Sequence, residues 1–208
     1  NPVKVEVGEG EHVMVGVAVG GDGRLMHVNC NNITIIGKGK GKTTMLGGIY
    51  VNGKQNVKIE QLDVTNDAGF GLGCKGSGTN VDVMECCFKK CQQSGMGVWE
   101  GATVTASRCV FMENRMYGVG CISANTKVRL NDSTMHHNGE CGLVAYNDAV
   151  VDLHGTKTDI HSNKMDGIYA LDNAKVNIHL PSQHNTTHDN GDQNRVQNTG
   201  GSIANINA

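Results

Sequence analysis

The sequence predicts an all-β chain, wound as a single-stranded right-handed parallel β-helix of about eight coils with three short strands per coil. Two observations carry this: a repeat of roughly two dozen residues, and a period of two inside every repeat. Composition agrees, since 29 Gly against 2 Pro, 38% hydrophobic but only 4% aromatic residues describe many tight corners around aliphatic strands.

The corner recurs as a Gly followed by an aliphatic residue, at Gly48-Ile49, Gly71-Leu72, Gly97-Val98, Gly118-Val119, Gly142-Leu143 and Gly167-Ile168, with spacings of 23, 26, 21, 24 and 25 residues. Asn114, Asn138 and Asn163 stand four residues before the last three of these glycines; Asp67 and Cys91 take the place less regularly in earlier coils. An alternating segment follows: Val57-Lys58-Ile59, Val81-Asp82-Val83, Val104-Thr105-Ala106, Val128-Arg129-Leu130, Val151-Asp152-Leu153 and Val176-Asn177-Ile178. A third segment places Val64, Phe88, Phe111, Met135 and Ile160 at matching positions. Each strand has one apolar face that it cannot bury alone, so coils must stack strand upon strand.

One domain over residues 1–208 is expected, with entry coils in 1–47, regular coils in 48–178 and a less regular coil and excursion in 179–208. The entry coils are read from Val3 to Val7, Val13 to Val19 and Ile33 to Ile36.

A formal net charge of −2, from 18 basic and 20 acidic residues spread along the chain, leaves no electrostatic footprint for nucleic acid or an anionic membrane. No apolar run approaches the ~20 residues that span a bilayer. Several of the 8 Cys fall on apolar positions of the repeat and read as reduced core residues, Cys74 with Cys121 and Cys86 with Cys109 among them. The expected location is therefore cytoplasmic, or secreted if a leader has been removed.

Ile33-Thr34-Ile35-Ile36-Gly37-Lys38-Gly39, Asn56-Val57-Lys58-Ile59 and the Asn138-x-x-x-Gly142-Leu143 corner together resemble the pectin-lyase-like superfamily, in particular its carbohydrate-binding and sugar-hydrolase type repeats. The resemblance implies a β-helix, and either polysaccharide chemistry or glycan binding. Active members carry an acidic cluster for calcium, an Arg base, or aspartates with a His in one cleft. No such set faces one way on adjacent coils here, and with Pro2 and Pro181 as the only prolines an Asp-Pro-His run is absent.

Five constellations can be weighed. Gly37 to Thr43 looks like a phosphate-binding loop but has one residue too few, and strand rather than helix follows, so it reads as a basic corner. Lys58, Asp82, Thr105, Arg129, Asp152 and Asn177 stack into a charged column; Arg129, Asp152 and Asp82 are the catalytic candidates if the protein is an enzyme, and a surface charge ladder otherwise. Tyr50, Trp99 and Tyr169 are expected on one outward column, with Glu100 as polar partner, forming a platform for sugar rings. His136, His161 and His188 recur at equivalent places and are candidate metal ligands; without metal they are polar residues beside a turn. The Asn column reads as structural, by amide stacking and tolerance of left-handed backbone.

The function expected from these residues is a noncatalytic interaction or glycan-binding module without a cofactor, contacting a glycan or protein along one face. The alternative is a polyuronide-active lyase, hydrolase or epimerase, with calcium if a lyase; a purely structural scaffold is third. Open strand edges at the solenoid ends would permit homo-oligomers.

Overall fold

The computed structural model describes residues 2–14, 24–179 and 186–206, so part of the segment read as Val13 to Val19 and the start of the C-terminal excursion lie outside the described residues. Every strand pairing among them is parallel, and each strand inside a sheet pairs with the strands one coil before and one coil after it, the first and last strands of a sheet having a single neighbour. Three sheets result. Sheet A has nine strands, from Val3–Glu6 to Ser202–Asn205; sheet B has eight, from Gly10–Val13 to Thr187–His188; sheet C has eight, from Leu25–Val28 to Arg195–Gln197.

The period of two decides which side chains enter the core. In Asn80–Met84, Val81 and Val83 are buried while Asp82 faces solvent, and the neighbouring strands repeat the pattern in register. One apolar core consequently runs from Met14 to Ile178, with Phe88 stacked on Phe111 at 5.4 Å and 9° in its middle. Cys74, Cys86, Cys109 and Cys121 lie inside it with free thiols. Burial pushes the Cys109 thiol up to about 11 and Cys121 to about 12, so neither supplies thiolate at neutral pH.

Corners are made by single residues in left-handed backbone. Glu85, Arg108 and Asp132 (φ 55°, 54° and 47°) turn the chain from sheet A to sheet B, and Lys90, Glu113, His137, Ser162 and Asp189 (φ 55°, 54°, 56°, 54° and 51°) end the strands of sheet B. This corrects the sequence reading of the asparagines: Asn114, Asn138 and Asn163 follow the left-handed residue and do not adopt that conformation themselves. The preceding residue makes the turn, which frees each amide to point inward. Asn114 Nδ2 donates to Asn138 Oδ1 (3.0 Å), Asn138 to Asn163 (2.8 Å) and Asn163 to Asn190 (2.9 Å), and each Oδ1 also accepts the backbone N–H of the asparagine one coil earlier. Asn66, not Asp67, occupies this column. Cys91 interrupts it, so the Asn66 amide turns to its own Phe70 carbonyl at 2.7 Å.

A second correction concerns the third regular coil. Gly95-Met96, not Gly97-Val98, is its corner, which evens the spacings to 23, 24, 23, 24 and 25 residues. A side chain on Gly95 would meet Asn114 Nδ2 at 2.8 Å and the Gly118 carbonyl at 2.9 Å, so this position needs a bare backbone. Gly97-Val98 imitates the corner because a shift of two residues preserves the inward and outward alternation.

Candidate functional site

On the outer face of sheet C the register aligns His27, Tyr50, Gly73, Gly97, Gly120, Val144, Tyr169 and Val196 in one column. Trp99 is outside this column, contrary to expectation. It lies two residues further along its strand, in register with Lys75, Ile122 and Tyr146, because the true corner glycine is Gly95. The displacement makes a recess. A Cβ on Gly73 would meet Trp99 Cη2 and Tyr50 Cδ2, each at 3.1 Å, and one on Gly97 would meet Phe70 Cε1 and Trp99 Cζ3, each at 2.9 Å. The indole therefore leans over bare backbone, which only glycine leaves open.

Phe70 reaches the same place from the corner before Gly71, 5.5 Å from the Trp99 ring, while Tyr50 stands 6.3 Å away on the other side and His27 packs edge-on to Tyr50 at 5.3 Å. Together with Leu25, Ile49 and Lys75 they line a groove of about 300 Å³. Lys75 Nζ pairs with Glu100 Oε1 at 3.1 Å on the rim, and that hydrogen bond holds the Lys75 ammonium above its ordinary value. Tyr169 shares a column with Tyr50 but is five rungs away, roughly 24 Å at the strand spacing of a sheet, and lies outside the groove. Phe70, His27 and Lys75 were not singled out by sequence reasoning. Phe70 reaches the groove from a corner, which strand alternation does not describe.

Sheet A carries the charged column in the predicted register, Lys58, Asp82, Thr105, Arg129, Asp152 and Asn177. It brings Arg129 beside Asp152 and leaves Asp82 three rungs from Asp152, roughly 14 Å. Asp152 Oδ1 accepts Asn177 Nδ2 at 3.0 Å and contacts His179 Nε2 at 2.9 Å; it makes no ion pair with Arg129. Burial pushes the Asp152 carboxyl up, but the hydrogen bonds from Asn177 and His179 outweigh it and leave the group below its usual value. His154, in register with His179, has its pKa lowered by burial and by the nearby Arg129 charge.

His136, His161 and His188 stack in register on sheet B with centroids 5.1 Å apart at each step. Their nitrogens are engaged individually: His136 Nδ1 with His137 Nδ1 (2.8 Å), His161 Nδ1 with Ser162 Oγ (3.0 Å), and His188 with Asp189 and Asp159. Among the described residues, the group whose metal-ligating atoms converge within 4.8 Å of one another is Asp152, His154 and His179. His154 and His179 were also missed by the sequence reading. Their signal was present, since each closes the alternating segment of its coil.

The two outer histidines of the sheet B column, His136 and His188, should titrate apart. Burial, then the charges of His161 and His137, lower His136; the hydrogen bond that His188 donates to the Asp189 carboxylate raises His188 above the ordinary 6.5. Proton NMR titration should place the His136 midpoint below that of His188, and the reverse order would refute this electrostatic picture. His188 then contributes stability below its unfolded pKa that is lost as pH rises through its folded value. For His136 the sign is opposite, since the unfolded state takes up the proton first and stability falls as pH drops below the unfolded pKa.

This arrangement defines a class: a parallel β-solenoid with an aromatic groove on one face and a histidine and carboxylate face on another. Residues 15–133, more than half of the chain, match the family model described as right handed beta helix region, and the chain belongs to that family. Among solved structures, pectate lyase Pel9A superposes with a TM-score of 0.58 at 13% identity, over 97% of this chain and 68% of the lyase. It shows the same right-handed parallel β-helix fold. The A-module of the Azotobacter vinelandii mannuronan C-5 epimerase AlgE6 aligns with a TM-score of 0.29 at 12% identity, over 98% of this chain and 87% of the module. No curated protein sequence matches the chain.

Proposed function

We propose that the protein is a noncatalytic β-helix module that binds a glycan in the groove around Trp99. The observation that carries this reading is the set of rings from Trp99, Tyr50 and Phe70 arranged over the glycine floor of Gly73 and Gly97. Aromatic faces bury the C–H face of a sugar ring and demand little of its stereochemistry, while a few polar groups at the edge fix its orientation. Lys75, its partner Glu100 and His27 provide those groups, and the Lys75 ammonium suits a ring bearing a carboxylate. The groove volume is at the small end of ligand sites and fits one or two sugar rings with the remaining chain lying along the sheet.

The test is binding to a panel of neutral and uronic-acid polysaccharides. Trp99→Ala should weaken affinity about tenfold, the scale of a lost stacking ring at ~1.4 kcal/mol, while circular dichroism stays unchanged. Tyr169→Ala, remote from the groove, should leave affinity as it was. Equal losses in both variants, or none in Trp99→Ala, would sink the groove as the binding site.

A second reading, polysaccharide cleavage or epimerisation, draws on the adjacency of Arg129 and Asp152 and on the pectate lyase likeness in fold. Its assay is the ultraviolet absorbance of unsaturated uronides and chain shortening, with and without calcium. Product that vanishes in Arg129→Ala would replace the binding reading with this one.

A further inference from the structure

We propose that Asp152, His154 and His179 form a binding site for one divalent transition-metal ion of the zinc class on the outer face of sheet A. The sheet itself builds the donor set. Asp152 and His154 are two residues apart on Val150–His154 and so share its outward face, and the pairing with Lys175–His179 places His179 directly beside His154. Their imidazoles are parallel, 4.2 Å apart at 8°, and the Asp152 carboxylate closes the third side with His179 Nε2 2.9 Å from Oδ1.

His154 supplies an independent indication. Its Nε2 is shielded from solvent and has no hydrogen-bond partner, a rare condition for a buried polar atom and the one expected of a lone pair held for a ligand. Three ligand atoms within 4.8 Å of one another need only side-chain rotations to reach the ~3.3 Å separations that bonds of about 2.0–2.1 Å impose in a tetrahedron. Asn177 Nδ2, donating to Asp152 Oδ1 at 3.0 Å, is the outer-shell group that would orient the carboxylate.

Donor chemistry selects the ion. Two imidazoles and one carboxylate suit a borderline-soft ion such as zinc, whereas calcium requires a cage of about 6–8 oxygens that these residues do not provide. With three protein ligands, a fourth position remains open to water or to a ligand oxygen. The histidine column of sheet B is a poorer host: among the described residues its ligand atoms do not converge within 4.8 Å as those of Asp152, His154 and His179 do, and both nitrogens of His188 are engaged by Asp189 and Asp159.

Calorimetric titration of the whole chain with zinc should show one equivalent bound, unaffected by excess calcium. His154→Ala and Asp152→Asn should each weaken binding by more than the roughly 10–100-fold expected of the outer-shell variant Asn177→Ala. Asp152→Asn is nearly isosteric and keeps the test valid should a histidine variant misfold. His136→Ala, in the other histidine column, should bind as the unaltered chain does. Absence of saturable zinc uptake, or uptake that survives both His154→Ala and Asp152→Asn, overturns the proposal, as does loss confined to His136→Ala.

Discussion

Replacing Asn138 by Leu should destabilise the solenoid by about 4 kcal/mol, a large part of the 5–15 kcal/mol typical of a folded domain. The side chain is fully buried and takes part in four hydrogen bonds: Oδ1 accepts the backbone N–H of Asn114 (3.2 Å) and Asn114 Nδ2 (3.0 Å), and Nδ2 donates to Phe111 O (3.1 Å) and Asn163 Oδ1 (2.8 Å). Leu has a similar volume but no amide, so the Asn114 N–H is orphaned where water does not reach. The loss acts in both directions along the column, since each asparagine serves the coil before it and draws on the coil after it. Asn190→Leu, at the partly solvated end of the ladder, should cost much less because water replaces the missing partners. Urea unfolding of the two variants decides the matter; similar midpoints would mean that the ladder is ornamental to stability.

Phe111→Ala is expected to cost a comparable amount, about 4 kcal/mol, through lost transfer energy and the cavity left behind. Phe111 is fully buried and stacked on Phe88, midway along a core otherwise filled with aliphatic side chains and thiols. Its site collapses poorly, because the strands above and below are held at fixed spacing by their ladder hydrogen bonds. A stacked solenoid is coupled mainly between nearest neighbours, so a defect in a middle coil should also broaden the transition as the two ends begin to unfold separately. Phe70→Ala, which removes a half-buried groove ring, should instead leave the midpoint nearly unchanged. A large shift for Phe70 and a small one for Phe111 would contradict the division between core and groove drawn above.

Much of the molecule was legible in the residues alone. Alternation in Val81-Asp82-Val83 and its counterparts settled which side chains are inward, and the repeat settled which residues stack; the Lys58 to Asn177 column and the His136, His161, His188 column both stand in the register read from sequence. Strand pairing is regular, so counting suffices wherever the corners are marked without ambiguity. The misplacement of Trp99 arose where two glycines, Gly95 and Gly97, offered alternative corners of the same parity, and local pattern contains nothing that chooses between them. The choice is made by Asn114 and the Gly118 carbonyl pressing on Gly95 from the next coil.

The sequence by itself thus determined the class of fold, the three strands per coil, the apolar filling and the membership of the outward columns on sheets A and B, because these follow from a period of two repeated at fixed intervals. Only the tertiary structure decided which side chains meet across the columns: Phe70, reaching in from a corner, meets Trp99 over the bare backbone of Gly73 and Gly97, and the His179 ring, in register with His154, turns onto Asp152 of the neighbouring column. These meetings depend on the rotamer of a ring and on the distance between rungs, quantities set by packing between coils and not by the order of residues within one.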